Sequence, residues 1–258
     1  MEKKSILILS PHPDDAAYSL GASLACRNSD RHITVLNVFS KQDYSILNIK
    51  HEEALKQILI EEQAVSLCLR YNAMFCDLPE ARLRGYKRLR EIIGGTKEPW
   101  KQSSEHYWIE AVRKEILSAL DSNKPSIVLA PLGVKHVDHI LLAYVIKQMW
   151  SELHARKIRL FFFEDLPYCI DEQAKIEVLN ILSQEGFVLK PKNIISDSLN
   201  DKVRALKVYH SQSKERDIVK IIEYGKPMGI SISERIWLVS RPTDETKSTG
   251  KGNIYDDY

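Results

Sequence analysis

The chain has 258 residues, of which 44% are hydrophobic and 28% charged, and its formal net charge is +2. This is the composition of a globular protein with a sizeable core, and the nearly balanced charge gives no reason to expect a nucleic-acid or membrane-surface partner. Because no apolar run approaches the ~20 residues of a membrane span, and the apolar stretch after Lys3 and Lys4 is too short for a signal peptide, we predict a soluble, cytoplasmic protein.

Apolar runs and helical periodicities alternate along the chain. The short apolar runs predict buried strands, and the apolar positions at helical spacing predict helices. The predicted elements, in chain order, are a strand at 5–9, a helix from Asp14 or Asp15 to Ala25, a strand at 33–39, a helix at 51–69, an irregular segment at 77–104, a helix at 105–120, a strand at 126–130, a helix at 138–150, a strand at 158–163, a helix at 171–185 and a strand at 235–239.

Strands that are separated by helices indicate an α/β fold. We predict a Rossmann-like, mostly parallel sheet with helices on both faces, in a single three-layer domain over residues 1–240. The polar composition of residues 241–258 predicts a flexible C-terminal tail. In sheets of this kind ligands bind in the crevice beyond the carboxyl ends of the strands, so residues directly after a predicted strand are candidate site residues.

Four cysteines are spread along the chain without a CxxC spacing. They are Cys26, Cys68, Cys76 and Cys169, and each lies within or beside an apolar stretch. This pattern predicts reduced, mostly buried thiols, as is typical of an intracellular protein, and it excludes a zinc knuckle or a disulfide framework.

The segment Pro11-His12-Pro13-Asp14-Asp15 follows the first predicted strand. Proline disfavours a helical conformation for the residue before it, so the chain is expected to turn sharply at His12. One imidazole and two carboxylates then lie within four residues at a strand end. A cation would relieve the repulsion between the carboxylates, and a metal ion is the obvious candidate.

A second histidine cluster follows the strand at 126–130. Pro131 and Gly133 mark a loop, and His136 and His139 are three residues apart at the start of the next predicted helix, where they could face the same direction. Together with His12 and Asp15 they offer the imidazole and carboxylate donors that suit zinc, although iron(II) could occupy the same donors. Four or five candidate groups thus compete for the three protein positions of a catalytic zinc site.

Each cluster also has a purely structural interpretation. Two aspartates at a helix start are usually a cap that interacts with the helix dipole, and an isolated His-x-x-His is weak evidence of a site. The combination favours a metal site, because both clusters follow strands and both fall where an α/β crevice would lie. The other histidines stand alone in the sequence, outside such clusters, and are given no functional role.

These two motifs resemble the PIG-L (LmbE-like) family of zinc-dependent N-deacetylases, which act on N-acetylglucosamine-type and related amides. The resemblance rests on Ser10–Ala22 and on His136-Val137-Asp138-His139. Looser matches occur at Leu78–Tyr86, Glu164–Tyr168 and Lys207–Gln212, so the likeness extends over about residues 5–240.

The resemblance implies a role for each residue of the motifs. It implies that His12, Asp15 and His139 bind one zinc ion, that Asp14 is the general base, and that a protonated His136 assists the oxyanion or the leaving group. The chain departs from the common family pattern at Ala16, where many members have Glu, and at Ala22, where a second Gly often follows. Neither change removes a ligand or the base. Asp138 could orient a histidine or cap the helix.

Substrate contacts are less well indicated by the sequence. The basic run from Arg82 to Arg90 is usually a solvated face, but Arg84 precedes Gly85 in a family-like segment and could reach a sugar or phosphate. Tyr168 follows the strand at 158–163, so it is a candidate for stacking on a sugar ring. The implied substrate is an acetylated amino sugar that is free or linked to a lipid or nucleotide.

Three alternatives remain open from the sequence. A zinc amidase of another acyl group or of a thiol conjugate would have the same ligands. A non-catalytic carbohydrate-binding relative would not need Asp14. A nucleotide-binding domain of doubly wound topology is disfavoured because the first strand–helix turn lacks G-x-G-x-x-G. The oligomeric state is left open.

Overall fold

A computed structural model describes residues 4–26, 31–94, 98–101 and 105–241. The strands are β1 (Lys4–Ser10), β2 (Arg31–Asn37), β3 (Asn72–Phe75), β4 (Ile127–Pro131), β5 (Arg159–Phe163), β6 (Val188–Ser196) and β7 (Ile232–Ser240). The helices are α1 (Asp15–Ala25), α2 (His51–Leu69), α3 (Leu89–Ile92), α4 (His106–Asn123), α5 (Val137–Gln148), α6 (Trp150–Ala155), α7 (Glu172–Gln184), α8 (Leu199–Val208) and α9 (Glu215–Tyr224). The tail predicted at 241–258 lies outside the described residues, except for Arg241.

The seven strands form one mixed sheet in the order β3-β2-β1-β4-β5-β7-β6. The first five strands of this order are parallel, whereas β7 is antiparallel to both β5 and β6. The predicted α/β fold with a mostly parallel sheet is therefore confirmed. The antiparallel β6 was not predicted, because this edge strand contains Lys190, Pro191 and Lys192 and alternates only weakly between buried and exposed positions.

The centre of the sheet is the apolar core. Residues Ile6 to Leu9 of β1 are at most 2% exposed, and all of β4 is buried. Ile8 pairs with Val35 of β2 on one side and with Leu129 of β4 on the other. Strands covered on both faces read as continuous apolar runs, which is why these elements were predictable.

Neighbouring parallel strands bring their carboxyl ends to one edge of the sheet. β1 ends at Ser10, β4 at Pro131 and β5 at Phe163, and these three strands are adjacent. The residues that follow them therefore meet at the same crevice, as the general rule for open α/β sheets requires.

All four cysteines are free, but the prediction that most are buried is wrong. Cys169 is buried and Cys76 is half-buried, whereas Cys26 and Cys68 are exposed at the surfaces of helices or their ends. Cys68 follows Leu67 on the solvent side of α2, which the apolar character of the segment did not reveal. Within the described ranges, no helix has both the length and the apolar character needed to cross a membrane.

Candidate metal centre and catalytic crevice

The turn from β1 into α1 places the first motif. His12 donates its backbone N–H to Asp15 Oδ2 at 2.9 Å, and Ser10 Oγ accepts the N–H of Ala16 at 3.1 Å. Asp14, at the N-cap of α1, has a φ of 144°, a conformation that non-glycine residues rarely adopt. Such backbone strain is concentrated at functional sites, and here it aims the Asp14 carboxylate into the crevice while Asp15 turns beneath it.

The loop from β4 into α5 places the second motif. Gly133 has a φ of +87°, and a Cβ there would lie 2.6 Å from that of Ala143, so only glycine lets the loop cross α5 this closely. His136 is the N-cap residue of α5, and its Nδ1 accepts the N–H of Asp138 at 3.2 Å. His139 then lies on the first turn of the helix and faces α1.

The two motifs converge on one carboxylate oxygen. Asp15 Oδ2 lies 3.1 Å from His12 Nδ1 and 3.2 Å from His139 Nε2. Ligands held about 2.0–2.1 Å from a tetrahedral ion are about 3.3 Å apart, so both distances match two edges of such a coordination sphere. His139 Nε2 is buried and has no hydrogen-bond partner among the described residues. When the neutral ring carries its proton on Nδ1, towards Asp165, the Nε2 lone pair is available to an ion.

The remaining imidazole nitrogens are held by two further carboxylates. His12 Nε2 lies 2.8 Å from Asp138 Oδ2, and His139 Nδ1 lies 3.0 Å from Asp165 Oδ2. Histidines that bind metals in proteins commonly donate their other N–H to a carboxylate, which fixes the ring and raises its basicity. Asp138 therefore orients His12, and the helix is capped by His136 instead.

Charge in this cluster is balanced internally. Burial lowers the pKa of His139, but the carboxylates of Asp15 and Asp165 outweigh it and raise the value to about 9. Burial likewise opposes protonation of His12, yet its pKa is raised because of Asp138 and Asp15. The carboxylates thus favour a positive charge on these imidazoles, and an ion that bound to the same nitrogens would displace their protons.

The three histidines could also act together as ligands. One ligand atom from each of His12, His136 and His139 lies within 4.8 Å of the others. The donor chemistry of both sets, imidazole with or without a carboxylate, fits a divalent transition metal. In the set that contains Asp15, both imidazole nitrogens lie within 3.2 Å of one carboxylate oxygen, and this set leaves His136 free to contact a substrate.

His136 has a defined tautomer. Since Nδ1 accepts a backbone N–H, the proton of the neutral ring must be on Nε2. Burial lowers the pKa of His136 well below its usual range, and Asp138 only partly offsets this. The structure therefore favours a neutral His136 that donates from Nε2, in place of the protonated ring that the sequence suggested.

Asp14 differs from Asp15 in its surroundings. It is half-buried, and its pKa is raised well above the usual range by burial and then by the adjacent Asp15. It lines a crevice with a volume of about 410 Å³, within the range of ligand pockets. The lining also includes residues from the segments after β2, β3 and β5 and from the start of α9, among them Gln42, Glu80, Arg82, Tyr168 and Asp217.

Arg84 lies behind this crevice. Its side chain has no exposed area, and it donates to Asp138 Oδ1 at 2.6 Å and to Glu105 Oε2 at 3.0 Å. A substrate contact would require the guanidinium to leave both carboxylates, each of which is itself fully buried. Arg84 thus acts on His12 indirectly, through Asp138, and its side chain does not line the crevice.

Tyr168 lies at the crevice, as its place after β5 suggested. Its ring centroid is 4.8 Å from that of His139 and 5.6 Å from that of His136. The residues that were given no role from the sequence include Asp165, Gln42 and Glu105. Asp165 lies two residues after the end of β5, so its position after a strand would have identified it, whereas Gln42 and Glu105 have no such signal in the sequence.

Comparison with known proteins agrees with this geometry. The profile of the PIG-L family, described as GlcNAc-PI de-N-acetylase, matches residues 7–150, which contain both motifs. The chain therefore belongs to the PIG-L family of de-N-acetylases. It is also similar to 2'-N-acetylparomamine deacetylase of Streptomyces fradiae, with 27% identity over 226 residues that cover 85% of this chain and 77% of that protein.

Solved structures share the fold. The zinc-inhibited form of teicoplanin deacetylase Orf2 matches with a TM-score of 0.70 at 21% identity, covering 93% of this chain and 100% of that one. The A40926 pseudoaglycone deacetylase Dbv21 matches with a TM-score of 0.68 at 23% identity, covering 93% of this chain and 98% of that one. At these identities the likeness establishes the fold.

Proposed function

We propose that this protein is a cytoplasmic, metal-dependent hydrolase that removes the N-acetyl group from an N-acetylglucosamine-type amino sugar or glycoconjugate. The observation that carries the proposal is that His12 Nδ1 and His139 Nε2 both lie close to Asp15 Oδ2. A second carboxylate, that of Asp14, lies beside this group and is not one of the three proposed ligands. A cluster with a purely structural role would need only enough carboxylates to balance the charge of its imidazoles. A hydrolase also needs a base, and the additional, half-buried Asp14 offers a carboxylate for that role.

We assign His12, Asp15 and His139 as the residues that hold the ion. When bound, a divalent metal polarises an amide carbonyl and makes water more acidic. Imidazole and carboxylate donors favour zinc, and iron(II) is the alternative that these donors also accept. Asp138 and Asp165 hold the outer nitrogens of the two histidines, so neither ring can rotate without losing a buried hydrogen bond.

Asp14 is assigned as the general base. Its raised pKa brings the carboxyl closer to the operating pH, where a base accepts and returns a proton most effectively. Asp14 would take a proton from the attacking water and return it to the departing nitrogen. The amide C–N bond then breaks to leave a free amine and acetic acid, which ionises to acetate in solution, so no further proton source is needed.

His136 is assigned to the carbonyl oxygen. The Nε2–H of its neutral ring donates a hydrogen bond to the oxygen as negative charge develops there. The hydrogen bond from the Asp138 N–H to Nδ1 prevents the ring from flipping, so this donor is oriented in advance. The adjacent Tyr168 ring would shield the reacting amide from water and offer a surface for the sugar.

Amine release across a panel of acetylated sugars tests the proposal. Free, nucleotide-linked and lipid-linked N-acetylglucosamine compounds would be incubated with protein loaded with zinc or iron(II), and acetate and amine would be quantified together. Equal amounts of the two products from at least one compound support the proposal. Absence of both products with either metal, in protein shown to be loaded, would contradict it.

A further inference from the structure

The middle of α1 is bound by a side chain from a distant part of the chain. Glu234 of β7 accepts the backbone N–H of Ala22 at 3.0 Å and that of Ser23 at 2.8 Å. The hydroxyl of Ser23 donates to the same carboxylate at 2.6 Å. A backbone N–H inside a helix ordinarily donates to the carbonyl four residues earlier, and only those of the first turn are free to bind an anion. Glu234 therefore binds α1 as an anion binds a helix N-terminus, but well inside the helix.

A buried lysine completes this arrangement. Lys202 of α8 donates from Nζ to Glu234 Oε1 at 2.6 Å, and both side chains are 1% exposed. The aliphatic stem of Lys202 crosses α1 at Gly21, where a Cβ would lie 3.2 Å from Lys202 Cγ. Ser196 of β6 donates to the carbonyl of Ala22 at 2.9 Å. Glu234, Lys202 and Ser196, which we call the α1 clamp, thus hold the same turn of the helix.

The ion pair of the α1 clamp is not needed to satisfy α1. A continuous helix would satisfy the N–H groups of Ala22 and Ser23 by itself, and two buried charges lose their hydration when the chain folds. Such a pair contributes little net stability compared with apolar side chains of the same volume. What it does contribute is a fixed location for the helix, because donors from α1 and α8 converge on one carboxylate.

The residue that depends on this location is Asp14. It is the N-cap residue of α1, and its φ of 144° is rarely adopted by a residue with a side chain. A strained backbone persists only where the segments on both sides of it are held. Before Asp14 the chain is held by β1, which pairs with β2 and β4 in the centre of the sheet. After Asp14 it is held by α1, and therefore by the α1 clamp.

Asp15 is supported in a different way. Its Oδ2 accepts the backbone N–H of His12 at 2.9 Å within the same turn, and it also lies 3.2 Å from His139 Nε2 of α5. The Asp14 side chain makes no capping hydrogen bond, so the direction of its carboxylate follows from its strained backbone. Loosening of α1 should therefore disturb Asp14 more than the proposed ligands.

We propose that Glu234 is a positioning residue of the hydrolase: by fixing the middle of α1, it holds the strained backbone of Asp14 and directs the Asp14 carboxylate into the crevice. The inference rests on the proposed function, in which Asp14 is the general base. Glu234 does not line the crevice itself, so its effect on turnover passes through α1.

The variant Glu234→Gln with Lys202→Met tests this role. An amide offers one acceptor oxygen and turns its NH₂ towards the second backbone N–H, so α1 has to move. The methionine fills the volume of the lysine stem and leaves no buried charge without a partner. We expect kcat for amine release to fall roughly 10–100-fold, the loss that misplacement of a catalytic group by about 1 Å predicts. KM and metal affinity should stay within about threefold of the wild type, since the loss is confined to turnover.

Two further proteins separate positioning from general destabilisation. Leu153→Ala removes a fully buried side chain of α6, so it lowers stability without contacting the crevice, and kcat should not change. In the Asp14→Asn protein, adding Glu234→Gln with Lys202→Met should change the residual kcat by at most about twofold, because the group that they displace is no longer the base. A further loss as large as that in the wild type would show that Glu234 acts on another group, and would overturn the inference.

Hydrogen exchange gives a readout that needs no activity. In the Glu234→Gln, Lys202→Met protein, amides in the peptide over residues 14–20 should exchange about tenfold faster than in the wild type and in Leu153→Ala. Unchanged kcat, or a loss of kcat with unchanged exchange in this peptide, overturns the inference and leaves the deacetylase in place. Absence of amine release by the metal-loaded wild type overturns the proposed function itself, a result that cannot be confused with unchanged kcat in the variant.

Discussion

The floor and the rim of the crevice are built in different ways. The floor consists of His12, Asp15, Asp138, His139 and Asp165, each at most 8% exposed and each paired with another member of the set. The rim contains side chains such as Leu89, 70% exposed, and Tyr44, 40% exposed. A change in the floor leaves a buried charge without a partner, whereas a change in the rim alters only contacts with solvent or ligand.

This difference suggests that separate groups of residues determine the reaction and the choice of substrate. In the proposed function, the floor would hold the ion and position Asp14 and His136 beside it, so it would determine the reaction. Exposed rim side chains such as Leu89 and Tyr44 belong to no buried ion pair among the described residues, so they can vary without destabilising the fold and, in the proposed function, would determine which amide is accepted. Substitutions in the floor should therefore change metal content, turnover or stability, and substitutions in the rim should change KM.

The largest effect is expected from His139→Ala. His139 offers the unsatisfied Nε2, and its removal also leaves Asp15 and Asp165 without their shared partner. The variant should lose bound metal and measurable amine release together. Metal analysis by mass spectrometry after gel filtration, with His32→Ala as an exposed control, would check this. A variant that keeps the wild-type metal content would remove His139 from the ligand set.

Asp14→Asn should separate metal binding from catalysis. The amide cannot accept the proton of water, so kcat should fall by about 10²–10⁴-fold while metal content stays at the wild-type level. Metal content and amine release would be measured on the same preparation. Unchanged kcat would show that another group is the base.

Arg84→Met tests the connection from Arg84 through Asp138 to His12. Two fully buried carboxylates lose their cation, which should cost about 3–5 kcal/mol of stability. Loss of a group that orients a metal-binding residue should weaken metal affinity by about 10–100-fold.

Arg82→Met is the comparison for stability, because Arg82 is 44% exposed and its ion pair with Asp43 should contribute at most about 1 kcal/mol. Thermal unfolding and metal titration would be followed for both variants. An Arg84 variant that raises only KM, with wild-type stability and metal affinity, would instead support a substrate contact.

A smaller effect is expected behind the floor, at Glu62 on α2. Burial raises the pKa of Glu62 to about 7, although it accepts hydrogen bonds from Tyr209, Asn37 and Tyr71. The folded state therefore binds this proton more tightly than the unfolded chain, so its contribution is present below pH 4.5 and is lost as the pH rises through 7. The loss should amount to about 3 kcal/mol.

Glu62→Gln removes this titration. The melting temperature of the wild type should fall between pH 5 and 8 by more than that of the variant, with Glu110→Gln as the exposed control. Parallel pH profiles for all three proteins would show that Glu62 does not titrate in this range.

The predictable parts of the molecule are those with strong local signals. The all-apolar β1 and β4 and the long amphipathic α2 were predicted because burial on both faces, or on one helical stripe, leaves a periodic pattern. The edge strand β6 and the short helices α8 and α9 were missed. The charged and proline residues of β6 hide it from a pattern of apolar residues, whereas α8 and α9 have apolar residues at helical spacing and could have been predicted from it.

The residues of the crevice differ in the same way. His12, Asp14 and His139 could be proposed as site residues from the sequence because dense motifs follow strands that end at one edge of the sheet. The burial of Arg84 was not predictable, because one member of a basic run folds inward only when Glu105 and Asp138 meet it from elsewhere in the chain. The place of Gln42 in the lining likewise becomes visible only when the crevice is assembled.

Stepwise addition of zinc to metal-free protein, followed by amine release at each step, tests the central claim most directly. The site made by His12, Asp15 and His139 predicts that activity rises in proportion to bound metal and reaches its maximum at about one ion per chain. A further ion could inhibit by occupying the open position, but it should not activate. Full activity in protein shown to be free of metal, or a maximum only at two ions, would contradict the account.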